Sequence, residues 1–283
     1  MRTAIIVLAT ASLLACNRPS TEEDGLQAVP SAVSFEGADY KDEAAKLAHG
    51  KRIARVLDCT GCHGDNLQGQ NVTADDPAYG DMNAPNLTLT MAKYSDADFE
   101  KLLRHGVPKD GRDFFFMPPE SYQFLSPEDF AALLAFVRSF KPSGTQLPPI
   151  RKGKGFLEEI KEGEISPAAA QVVRYRNNPP PDLGPNYERG RQLARMTCTG
   201  CHNSALEGYP GFTPDLDIAG TYNKAELAEL LTSGKGKSKP DLKLMTQIAK
   251  YSFSQLTQGE REAIVDYILA RANRQQRDSE ARE

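Results

Sequence analysis

The sequence contains no tryptophan, only 8% aromatic residues, four histidines and five cysteines in 283 residues. It also lacks a basic excess, since 34 Lys and Arg stand against 38 Asp and Glu for a formal net charge of −4. That balance argues against nucleic acid as a partner and suits a soluble body that docks on a basic patch of another protein. Past the N-terminus no stretch is apolar for the roughly 20 residues that a spanning helix needs. The length allows two domains of ordinary size. With few aromatic side chains, and with 22 Gly and 19 Pro, such domains suit a core filled in part by something other than side chains.

Four of the five cysteines belong to one stretch that occurs twice, Cys59-Thr60-Gly61-Cys62-His63 and Cys198-Thr199-Gly200-Cys201-His202. Two thiols at this spacing can add to the two vinyl groups of one haem while the adjoining histidine reaches its iron. The repeat therefore points to two covalently attached haem c groups, whose porphyrins would supply core volume. A pair of disulfides, or one zinc held by four thiolates, is the alternative. Neither of those needs the histidine.

The fifth cysteine, Cys16, follows Arg2 and an apolar run from Ala4 to Ala15, too short to span a bilayer and suited to an export signal. Leu13-Leu14-Ala15-Cys16 resembles a bacterial lipoprotein box, which implies cleavage before Cys16, acylation of that residue and a periplasmic protein of a Gram-negative bacterium held on a membrane surface. An ordinary signal cut nearby is the other reading. Residues 1–16 are thus expected to be the signal, and 17–38, polar and aperiodic, a flexible tether.

The remainder reads as all-α, with two similar domains at 39–142 and 185–273. Ala44, Leu47, Ile53, Ala54 and Leu57 recur at helical spacing into Cys59. Ser95 begins a helix that Gly106 can end, and Ser126 with Pro127 begins another through Leu133 and Phe136. The second half repeats this order: a helix with Gly190, Leu193 and Met196 into Cys198, a middle helix from Lys224, and a last one after Leu256-Thr257 through Ile264 and Tyr267. Residues 143–184, with Pro148-Pro149 and Pro179-Pro180-Pro181, form a connector stiffened in part by polyproline geometry. The charged tail, 274–283, is expected to fray.

A haem iron has two axial positions, and the motif fills one of them, with His63 or His202. Met117, bounded by Pro118-Pro119 just before the last helix of the first half, is the best candidate for the other. His105 competes with it, while Met82 and Met91 are weaker choices. In the second half Met245 is the only methionine after Cys201. A ligating histidine usually donates its other ring nitrogen to a carbonyl, and Pro85 and Pro214 can supply one to His63 and His202.

These residues resemble the class I c-type cytochromes. In that family the helix ending in CxxCH crosses the last helix, with a glycine of the first against an aromatic residue of the second. Gly50 can face Phe136, and Gly190 can face Tyr267. Leu103-Arg104-His105-Gly106-Val107, Asp110-Gly111-Arg112, Met117-Pro118 and Pro85-Asn86-Leu87-Thr88 are similar to the cytochrome c subunits of membrane-associated alcohol and aldehyde dehydrogenases. The resemblance implies an electron-transfer protein and not an enzyme, with two His/Met haems and redox partners such as a dehydrogenase, an oxidase or another cytochrome. The alternative is a haem enzyme, a peroxidase or sulfur-compound oxidase, with one open or labile iron.

Overall fold

The computed structural model describes residues 33–280, with side chains through residue 274. The export signal, Cys16 and residues 17–32 of the expected tether lie outside the described residues. No described helix is long and apolar enough to cross a membrane.

The first half opens with α1 (Glu43–Val56), started by Asp42, whose carboxylate accepts from the Ala45 amide at 2.8 Å. The first motif is a separate short helix, α2 (Cys59–His63), set off from α1 by Asp58 in the left-handed region at φ 59°. Then come α3 (Leu87–Thr90), α4 (Asp96–His105), α5 (Pro119–Tyr122) and α6 (Pro127–Arg138). Ser95 and Asp98 form a capping box on α4, and Gly106 ends it at φ 66°. Ser126 caps α6, with Pro127 in the first helical position, where its missing N–H costs nothing.

Two further helices, α7 (Lys154–Glu162) and α8 (Ala168–Asn177), belong to the connector. The second half then runs through α9 (Glu188–Thr197), α10 (Thr199–His202), α11 (Lys224–Ser233), α12 (Leu244–Tyr251) and α13 (Gln258–Glu280). The last helix continues to Glu280, well into the tail where fraying was expected.

In both halves the helix before the motif packs against the last helix at a glycine. A Cβ on Gly50 would overlap the Ala132 carbonyl and the Phe136 Cβ, and one on Gly190 would overlap the Ala263 carbonyl and the Tyr267 Cβ. The bare backbone is what lets each pair approach so closely. Both expected glycine–aromatic contacts are therefore present.

The repeat extends to single hydrogen bonds. Gly69 N donates to His63 O at 2.8 Å, as Gly208 N does to His202 O at 2.9 Å. Leu67 and Leu206, both fully buried, adopt left-handed conformations at equivalent turns. Lys109 meets the Tyr94 hydroxyl and Lys93 carbonyl as Lys237 meets the Tyr222 hydroxyl and Thr221 carbonyl.

The halves differ in one insertion. Twenty-two residues separate His63 from Pro85, against 12 between His202 and Pro214. The added length forms β1 (Gln70–Asn71), β2 (Gly80–Asp81) and β3 (Asn83–Ala84), with β1 antiparallel to β3. The connector strand β4 (Arg151–Lys152) pairs with β2, so the insertion holds the connector against the first domain. Phe156 of α7 is fully buried there, edge-on to Tyr79 and Phe115.

The last residues assigned to the tether are packed. Phe35 is 1% exposed, and its amide donates to Asp129 at 2.9 Å, while the next amide, of Glu36, donates to Glu260 at 2.7 Å. Asp129 and Glu260 occupy equivalent places in the first turns of α6 and α13, so this segment is gripped by both domains.

Candidate haem sites

α2 delivers Cys59, Cys62 and His63 to one wall of a cavity of about 320 Å³ in the first domain. Its lining is mostly apolar, with Leu102, Leu103, Leu133 and Val137 from α4 and α6, and with Met117 on the loop before α5. His63 is buried, and its Nδ1 donates to the Pro85 carbonyl at 2.9 Å. Because a carbonyl only accepts, the proton sits on Nδ1 and leaves the Nε2 lone pair free. Burial lowers the imidazole pKa below 6.5, against the opposing effect of the Pro85 bond, and so favours the neutral form.

The second domain repeats the histidine–carbonyl bond. His202 donates from Nδ1 to the Pro214 carbonyl at 2.9 Å, and burial likewise lowers its pKa. Met245 is half-buried and lies one residue inside α12, rather than on a loop. Its neighbour Thr246 accepts from the Leu242 amide at 2.8 Å and donates to the Gly234 carbonyl at 2.7 Å, which ties this segment to the end of α11.

The structure brings Met117, His63, Pro85 and also Met82 to one cavity. His105, at the end of α4, and the buried Met91 are absent from its lining. The connector contributes Gln146 and Ile150 to the wall, and Arg112 with Phe114, Phe115 and Phe116 complete it. Arg112 and the phenylalanines belong to the loop that carries Met117, so their role followed from its position. The wall residues of the connector could not be read, because their placement depends on a two-residue strand pairing.

None of the four motif cysteines is paired in a disulfide. Burial, then the nearby Asp58 carboxylate, pushes the Cys59 thiol up to about 12 and the Cys62 thiol up to about 11, and burial pushes Cys198 up to about 11. Among the described residues no group of three or more His, Cys, Asp or Glu side chains converges as a metal site. The two CxxC pairs thus do not meet as a four-thiolate centre. A largely apolar cavity with two thiols and a carbonyl-oriented histidine on its wall fits a covalently attached haem.

Comparison with known proteins gives the same picture. The family model for cytochrome c matches residues 47–141 and again 187–272. The chain is 23% identical over 288 residues to the gluconate 2-dehydrogenase cytochrome c subunit of Pantoea cypripedii, covering 86% of this chain and 64% of that one. It is 31% identical over 109 residues to the cytochrome c subunit of a quinone alcohol dehydrogenase of Gluconacetobacter polyoxogenes, covering 35% of this chain and 23% of that subunit. To a diheme cytochrome c-type protein of Cereibacter sphaeroides it is 25% identical over 264 residues, 79% of this chain and 85% of the other. The chain spans less than two thirds of the length of either dehydrogenase subunit.

Proposed function

This chain belongs to the cytochrome c family, with two of its domains in tandem and hence two haem c groups, and from that premise we propose that it is a dihaem electron carrier with both irons closed by His and Met. Each bound haem supplies a one-electron ferrous–ferric couple. Cys59 and Cys62 would hold the first covalently, with His63 Nε2 and the Met117 sulfur as the side-chain atoms that would bind its iron. Cys198 and Cys201 would hold the second, with His202 and Met245 in those roles. The Pro85 and Pro214 carbonyls orient the two imidazoles and make them more basic toward the metal.

The observation that carries this reading is the cavity with carbonyl-held His63 and Met117 both on its wall. Two side-chain donors on each iron would leave no coordination site for a substrate, and this reading is therefore one of electron transfer and not of peroxidase or sulfur-oxidase chemistry. Thioether donors and apolar surroundings would raise the potentials relative to bis-histidine haem. The named relatives from Pantoea and Gluconacetobacter are cytochrome subunits of dehydrogenases, and a dehydrogenase is accordingly the proposed electron donor. We place the protein in the periplasm, anchored through an acylated Cys16.

The absorption spectrum of the oxidised full-length protein tests the ligand assignment. A long-wavelength sulfur-to-iron band with the intensity of two haems is expected. High-spin bands in the untreated protein would refute it.

A further inference from the structure

The carbonyl that holds each motif histidine belongs to a turn, and the two domains pin that turn by different chemistry. Its frame is the same in both. Leu87 N donates to the Leu67 carbonyl at 2.8 Å, and Leu216 N to the Leu206 carbonyl at 3.0 Å. Pro85 is followed by Asn86 and Pro214 by Asp215. Each of these side chains accepts from the amide two residues on, of Thr88 at 3.0 Å and of Asp217 at 2.9 Å.

The difference lies in what else each side chain meets. Asn86 is fully buried, and its Nδ2 donates to the Ser143 carbonyl at 2.7 Å, while the Ser143 amide donates to Thr88 Oγ1 at 3.1 Å. The first residue of the connector thus holds the first domain's turn, through neutral groups alone. A carboxylate has no proton to give a carbonyl, and Asp215 is met instead by a cation. Arg271 of α13, only 1% exposed, donates from Nη1 to Asp215 Oδ1 at 2.9 Å and also to Asp217. Hydrogen bonds between charged groups of this kind are stronger than neutral ones. Arg271 stands four residues after Tyr267, and the place four residues after Phe136 is taken by Phe140. That phenylalanine packs edge-on against Phe136, with ring centroids 5.3 Å apart, so the cation is particular to the second domain.

We propose that Arg271 is a positioning residue for His202. By tying Asp215 and Asp217 to the last helix it fixes the Pro214 carbonyl between them and the motif, and through that carbonyl the ring plane and the Nδ1 proton of the imidazole. The inference rests on the electron-carrier reading above, in which His202 binds the second iron. His63 is held by way of the connector and His202 by its own domain's last helix, so the two histidines can be loosened separately.

The test measures solvent exchange of the two histidine Nδ1 protons by NMR, in the full-length, haem-loaded ferrous protein labelled at histidine and backbone nitrogen. In Arg271→Met the His202 proton is expected to exchange roughly tenfold faster or more, as loss of a charged hydrogen bond does to a local opening, with the His63 proton unchanged. Arg271→Lys keeps the charge and is expected to fall between the two. Combining Arg271→Met with Asp215→Asn and Asp217→Asn leaves no carboxylate unpaired, so this variant keeps the test open where the single change prevents folding. It is expected to show the same faster exchange at His202. An unchanged His202 proton would overturn the proposal. Acceleration of the α9 amides by the same factor would overturn it too, because Arg271 would then stabilise the domain as a whole and not the histidine. High-spin iron in the unsubstituted protein would strike the methionine assignment of the electron-carrier reading and leave the His202 comparison readable.

Discussion

Met117 and Met245 carry the functional claim at the scale of the residue. Replacing either by Ala is expected to convert one haem, and only that one, from low-spin to high-spin and to let it bind carbon monoxide or imidazole. An unchanged spectrum would identify the methionine as core filler. A second residue makes a prediction about pH. Burial pushes the Glu120 carboxyl up from 4.5 to about 7, against its own backbone hydrogen bond and the Arg174 charge. A folded-state pKa above the unfolded one means that the folded chain binds the extra proton between those values. Stability therefore falls as pH rises from about 4.5 to about 7 and levels off above. Glu120→Gln should flatten that slope in melting curves recorded across the window. The motif residues were legible in the sequence because local spacing sets their chemistry, and the two prolines only through the need of each histidine for a carbonyl, since 22 and 12 residues intervene. The hydrogen bond from Ser252 to Asp58 was not, since it joins residues 194 positions apart.

The helix crossings bring the argument to the scale of the element. Gly190→Ala places a methyl group where the Ala263 carbonyl stands, and Gly50→Ala does so at Ala132. Backbone cannot give way as a side chain can, and each change is expected to cost about 1–3 kcal/mol, as overpacking typically does. Urea denaturation of the two variants checks this, and a cost near zero would mean that the helices are free to separate. These crossings, the capped starts of α4 and α6 and the glycine at the end of α4 were all readable from periodicity and cap chemistry. The connector was not. Its docking rests on β2 and β4, two residues each, and on Phe156 in a cluster assembled from distant parts of the chain. The insertion of the first half explains both this capture and the unequal spacing from histidine to proline. No periodic signal announces a strand of that length.

For the molecule as a whole, the two domains are joined by buried polar groups. Arg52 on α1 pairs with Glu260 on α13 at 2.8 Å and also donates to the Gln255 carbonyl at 3.2 Å and to the Glu36 carbonyl. Glu260 is fully buried and accepts from the Glu36 amide too. Removing one partner leaves the others uncompensated, and Glu260→Ala is expected to cost up to about 3–5 kcal/mol, the range for breaking a buried pair. Its signature in calorimetry should be separate melting of the two domains, whereas a single transition with unchanged midpoint would contradict a polar clamp. The duplication was evident from the repeated motif and matched helices. The face by which the copies meet could not be read, because contacts across it, such as Ser121 with Thr199 and Ser252 with Asp58, join residues 78 and 194 positions apart.

The central claim is that both irons are closed by His and Met and exchange single electrons. A redox titration of the full-length protein, followed together by visible and paramagnetic resonance spectra, tests it most directly. Two low-spin, one-electron waves are expected, each with a thioether signature and each above the range of bis-histidine haem. A high-spin iron, a bis-histidine signal or a single wave of one haem per chain would contradict it.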